Sequence, residues 1–141
     1  MKEEQIWQRV MAARETPQEN GLKFHAMQCV EAIGEYIALQ RSPKGKIQHL
    51  AGELNRQEQQ ILQCLRGLQI LQEGTSMQLP KSPACQTPDR RTLIRRYHST
   101  RRAMTESMSR SAENEWGNVF QSIAKLQESQ CFLLTQLLGV M

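Results

Sequence analysis

Gln57-Glu58-Gln59-Gln60-Ile61-Leu62-Gln63-Cys64 and, further along the chain, Gln127-Glu128-Ser129-Gln130-Cys131-Phe132-Leu133-Leu134 read alike. In each, an amide-rich start leads into apolar residues in matching register: Ile61, Leu62, Cys64 and Leu68 answer to Cys131, Phe132, Leu134 and Leu138. Both stretches lie in long helical patterns. Around the first, one heptad row is Ile47, Leu54, Ile61, Leu68 and its neighbour is Leu50, Gln57, Cys64, Leu71. Around the second, the rows are Phe120, Gln127, Leu134, Met141 and Trp116, Ile123, Gln130, Leu137. Two apolar seams with amides at their centres predict a two-fold repeat of helical segments.

The remaining pattern supplies the other halves of the repeat. The first long helix is expected over about 21–41, with Leu22, Ala26, Cys29, Val30, Ile33 and Ile37 at helical spacing. Ser42-Pro43-Lys44-Gly45 is a short return to the second helix, expected over about 44–73 and closed by Gly74. The third starts at Asp89, a good cap, and runs to about 112 with Leu93, Ile94, Tyr97, Met104 and Met108 inward. The fourth covers about 114–139. A short amphipathic helix over 3–14, carrying Ile6, Trp7, Val10 and Met11, precedes them and ends at Thr16-Pro17. The division expected is therefore 1–20 as N-terminal helix and connection, then 21–141 as the bundle, with 75–89 as its linker.

That linker decides the topology. Pro80, Pro83 and Pro88 keep it out of any helix. Fifteen extended residues reach ~50 Å, against ~33 Å for a helix of about 22 residues. The chain can thus travel the length of the bundle and bring the third helix parallel to the second. The fold class expected is all-α: a ferritin-like four-helix bundle, two antiparallel hairpins joined by a long crossover.

Composition agrees with helices. Aromatics make up 5% of the 141 residues, while straight-chain helix formers are abundant. Cys29, Cys64, Cys85 and Cys131 have no CxxC pairing or zinc-ligand spacing, and three of them fall at apolar helix positions. The charged start Met1-Lys2-Glu3-Glu4-Gln5 has no apolar stretch behind it, so no signal peptide is expected. No run approaches a membrane span. A cytoplasmic location with reduced thiols is the expectation.

In the second half, Tyr97-His98, Val119-Phe120-Gln121-Ser122-Ile123-Ala124 and Leu137-Leu138-Gly139 resemble rubrerythrin-type members of the ferritin-like superfamily. The resemblance covers about residues 22–139. It implies a di-iron bundle whose ligands are single glutamates on helices one and three and Glu-x-x-His motifs on helices two and four. Carried across residue by residue, those positions fall on Met27, Gln57, Gln60, Thr100, Gln127 and Gln130, none of them a family ligand. A register one residue later gives Glu58-x-x-Ile61 and Glu128-x-x-Cys131, which keeps the acids and loses both histidines. Buried carboxylates need metal to neutralise them, whereas amides carry donor and acceptor together. A closed layer of mutually bonded glutamines is expected in place of the metals.

Other candidates are weaker. Seven arginines lie between 90 and 110, and Arg91, Arg95 and Arg102 share a stripe that could meet an acidic partner. No stacking platform or reader motif accompanies them, so a solvated face is favoured and nucleic acid is not expected. His25 and His98 occupy equivalent places in the two halves. The functional expectation is a metal-independent structural or interaction protein, self-associating or bound to another protein. It needs no cofactor, and the leaning is against an enzyme. The alternative is a ferritin-like oxidoreductase acting on peroxide or oxygen. It would hold iron or manganese in an irregular site of Glu31, Glu35, Glu58, Glu128 and a histidine, or a residual site of His98, Glu128 and Cys131.

Overall fold

The computed structural model describes residues 21–80 and 85–141. The expected helix over 3–14 lies outside them. The described chain forms α1 (Leu22–Gln40), α2 (Gly45–Glu73), α3 (Arg90–Glu113) and α4 (Gly117–Val140), and no strand occurs among the described residues.

Helix ends follow from local chemistry. The Asp89 side chain accepts the Thr92 backbone N–H at 2.7 Å and caps α3. Gly74 takes the left-handed conformation at φ 71° and returns its N–H to the Ile70 carbonyl, ending α2. Between α3 and α4 the chain turns on Asn114, whose side chain accepts the Trp116 N–H at 2.9 Å. Gly117 begins α4 there because a Cβ at that position would run into the Ser111 carbonyl.

Two apolar clusters fix the helix directions. The first joins Ala32, Tyr36 and Leu39 to Ile47, Ala51 and Leu54, and then to Leu93, Leu134 and Leu137. The second joins Ala26 and Cys29 to Ile61, Leu65 and Leu68, and to Phe120 and Ile123. The end of α1, the starts of α2 and α3, and the end of α4 therefore share one end of the bundle. It follows that α1–α2, α3–α4 and α2–α4 are antiparallel neighbours, while α2 and α3 run the same way. The chain leaves α2 along the second cluster, where Met77 and Leu79 pack. It arrives at α3 through Cys85 and Thr87, beside the Ser42–Pro43 turn and Met141 at the opposite end.

Burial departs from expectation mainly on α3. Its buried residues are Leu93, Arg96, Thr100 and Ser107, whereas Ile94 and Met108 are 42% and 58% exposed. The apolar positions form a tidy stripe, but the adjoining polar stripe meets the core. That burial is offset because each polar group finds a partner. Thr100 and Ser107 donate to the Arg96 and Ala103 carbonyls of their own helix, and Arg96 meets Glu35. Leu71 and Met141, expected inside, are exposed near helix ends.

Candidate functional site

Halfway along the bundle all four helices contribute polar side chains. From α2 come Gln57 and Glu58; α4 supplies Gln127 and Gln130; α3 supplies Arg96, Thr100 and Ser107; α1 supplies Cys29, Glu35 and Tyr36, all of them buried. Gln130 donates its amide N–H to the Glu58 carboxylate across the α2–α4 seam, and the Cys29 thiol bonds the same carboxylate from α1. Gln57 donates to Ser129 Oγ at 2.8 Å. Ser107 Oγ stands 2.9 Å from both Gln127 Oε1 and the Ala103 carbonyl, with one proton to offer. The glutamines are buried but do not pair with one another; serines and a glutamate answer them instead. Nor is the layer closed, since Gln57 Oε1 and the Tyr36 hydroxyl have no hydrogen-bond partner among the described residues.

The charged members sit on the α1–α3 side. Arg96 Nε and Nη2 donate to Glu35 Oε2 at 3.2 and 2.9 Å, and Nη1 reaches Gln28 Oε1 only at 3.4 Å. Burial pushes the Glu35 carboxyl up by more than the neighbouring guanidinium lowers it. Burial likewise raises Glu58, against the Cys29 hydrogen bond, the Arg96 charge and the Gln130 hydrogen bond. It carries the Cys29 thiol and the Tyr36 phenol well above their ordinary ranges, and the Glu58 charge adds to both. Cys29 is therefore held as an inert thiol. Further along the same side, His25 Nε2 meets Glu106 Oε2 at 3.2 Å, and Arg110 reaches the other Glu106 oxygen at 2.8 Å. Burial lowers the His25 pKa in spite of Glu106.

Between these two bridges α1 and α3 stand apart. A cavity of about 590 Å³ opens there and reaches the polar layer. Its floor is Ile61, Leu65, Phe120 and Ile123 from α2 and α4, and its inner end is Cys29, Glu58, Gln127 and Gln130. The sequence makes the gap: where α3 faces the centre it carries Thr100, Ala103 and Ser107, too small to fill the space to α1.

The repeat can now be aligned by burial. Ala51, Leu54, Glu58, Ile61, Leu65 and Leu68 on α2 correspond in order to Phe120, Ile123, Gln127, Gln130, Leu134 and Leu137 on α4, all of them buried. On the other two helices Cys29 and Tyr36 correspond to Thr100 and Ser107. The match of Gln57 to Gln127 is one residue out, because it aligned Gln59 and Gln60, which are exposed, with a stretch that includes the buried Gln130. Among the expected positions, Gln57, Thr100, Gln127 and Gln130 do lie in the layer. Met27, 46% exposed, and Gln60 lie outside it; Cys29, Glu58 and Ile61 stand at the centre instead.

Arg91, Arg95 and Arg102 are exposed, as are Glu31, Glu128 and His98. The sequence reading leaves Cys29, Arg96 and Ser107 out of the site and names Glu35 only in the metal-binding alternative. The seven-residue spacing of Cys29–Tyr36 and Thr100–Ser107 was the available signal for two of them. Among the described residues no group of three or more His, Cys, Asp or Glu side chains is placed to hold a metal ion. No described helix is long and apolar enough to cross a membrane. No family model, curated protein or solved structure matches the chain.

Proposed function

We propose that this chain is a ferritin-like bundle of rubrerythrin type in which a hydrogen-bonded layer has taken the place of the di-iron centre, leaving a metal-independent structural or interaction protein. The observation that carries the reading is the composition of the layer in its burial register. Realigned by burial, the glutamate positions that the resemblance first put on Met27, Gln57, Thr100 and Gln127 would fall on Cys29, Glu58, Thr100 and Gln127, and the histidine positions first put on Gln60 and Gln130 on Ile61 and Gln130. One carboxylate, one inert thiol and no imidazole do not fit a pair of divalent metals, which need several oxygen or nitrogen ligands each. The all-antiparallel neighbour pattern and the long crossover support the ferritin-like part.

The oxidoreductase alternative draws largely on side chains that are exposed or turned to a cation, Glu31 and Glu35 both meeting Arg96. Glu31 and Glu128 are exposed and Glu35 is engaged by Arg96.

The test is reconstruction. Keeping Glu58 and introducing Cys29→Glu, Ile61→His, Thr100→Glu, Gln127→Glu and Gln130→His should create iron or manganese binding at about two ions per chain. The sextet Met27→Glu, Gln57→Glu, Gln60→His, Thr100→Glu, Gln127→Glu and Gln130→His should not, because two of its ligands face solvent. A folded first variant that binds no metal overturns the ferritin-like reading.

A further inference from the structure

We infer that the cavity between α1 and α3 is a binding site for a small amphipathic carboxylate, its head held by Arg96 and Arg102 and its apolar body lying on Ile61, Leu65, Phe120 and Ile123. This goes beyond the proposed function and does not depend on it, since it rests on the cavity rather than on any relation to metal proteins.

At about 590 Å³ the cavity falls within the range of small-molecule sites. Its two surfaces differ in kind. The floor is continuous with the second apolar cluster, so a ligand seated there removes hydrocarbon from water on both sides. The α3 wall is cationic, with Arg96, Arg102 and Arg110 lining it.

Their counter-charges are unequally placed. Arg110 is answered by Glu106, which also meets His25, and Arg96 by Glu35 behind it at 2.9 Å and by Glu31 at 3.7 Å, both on the Nη2 side and leaving Nη1 aside. Arg102 has no acidic partner among the described residues. Arg96 is 9% exposed, yet the amide oxygen of Gln28 at 3.4 Å is all that its Nη1 meets. A buried guanidinium with an under-used N–H pair, lining the same cavity as an exposed one without an acidic partner, is suited to a carboxylate, which accepts two such bonds in one plane. The remaining carboxyl in the lining, Glu58, is turned to Gln130 and Cys29, and burial disfavours its charge. Thr100, Gln127 and Gln130 offer neutral hydrogen bonds at the inner end.

The experiment is isothermal titration of the full chain with octanoate, octanol and octylamine, three probes of one tail and different heads. Octanoate should bind once per chain, about tenfold or more tighter than octanol, with octylamine weakest. Arg102→Gln should weaken octanoate about tenfold while leaving octanol unchanged. Ala103→Trp, which fills the cavity, should abolish octanoate binding with helicity retained. If Ala103→Trp does not fold, the exposed Arg102→Gln variant decides alone. Absence of octanoate binding, equal binding of octanol, or an Arg102→Gln variant with undiminished affinity overturns the inference.

Discussion

Gln130 on α4 donates its amide N–H to the carboxylate of Glu58 on α2, joining the two hairpins at the centre of the bundle. Glu58 is 8% exposed, and the bond from Gln130 and that from Cys29 do not offset the cost of burying its charge. The consequence is a pH dependence of known sign. A carboxyl whose folded pKa lies above its unfolded value of 4.5 binds more protons in the folded state, so its contribution to stability is present in acid and lost as pH rises through the raised value.

Glu58→Gln keeps the acceptor for Gln130 and removes the charge. It should stabilise the protein at pH 7 by about 1 kcal/mol, with the advantage fading toward pH 4. Urea titrations of both proteins across that range measure it. Equal stabilities at pH 7, or an advantage that grows in acid, would contradict the role given to burial.

His25 has the opposite sign. Its folded pKa lies below the unfolded 6.5, so the unfolded chain takes up the proton first and stability falls as pH drops below that value. His25→Gln should remove this loss. Thermal unfolding of the two proteins at pH 7.5 and 5.5 checks it, and the variant's Tm should fall less than the parent's on acidification.

Arg96 and Glu35 form a buried pair whose members depend on each other. Arg96→Met alone should cost about 3–5 kcal/mol by leaving Glu35 buried without its cation, and adding Glu35→Leu should recover most of the loss. A double-mutant cycle in urea reads the difference. Additive losses in the double variant would mean that the two side chains act independently.

Tyr36 is fully buried, and its hydroxyl has no hydrogen-bond partner among the described residues. Tyr36→Phe should therefore be neutral or stabilising by up to about 1 kcal/mol, as the desolvated hydroxyl contributes nothing. A loss above that size in chemical denaturation would reveal a partner for the hydroxyl.

Two glycines separate close approach from mere helix position. At Gly117 a Cβ would meet the Ser111 carbonyl, so Gly117→Ala should cost about 1–3 kcal/mol. At Gly67 nothing lies within 4 Å, and Gly67→Ala should stabilise α2 by up to about 1 kcal/mol. Thermal melts of the pair should move in opposite directions.

The helices were legible because their signals are local. Gly74, Asp89 and the proline-rich linker mark ends that depend on backbone chemistry, and Leu54, Ile61, Leu68, Leu134 and Leu137 mark faces by spacing alone. The reach of the linker between α2 and α3 follows from its length. The site was harder. Gln57 and Gln127 match by residue type, yet the core is set by which face a neighbour covers, and that choice placed Glu58 inside and Gln60 outside. Arg96 was one of seven arginines with no local mark. Its partner Glu35 lies on a different helix, so only the packing of α1 beside α3 singles it out. The inward face of α3 went unread for the same reason: Ile94 and Met108 looked like core, while Thr100 and Ser107 are tolerated inside because their hydroxyls bond their own helix. The expected helix over 3–14 lies outside the described residues.

We propose that the layer of Glu58, Gln127 and Gln130 stands where a ferritin-like bundle would hold metal. The direct measurement is metal content by mass spectrometry of untagged protein expressed in iron- and manganese-supplemented medium, with thermal stability in chelator. Less than about a tenth of an equivalent, with an unchanged Tm, is the predicted result; stoichiometric metal whose removal lowers the Tm would contradict it.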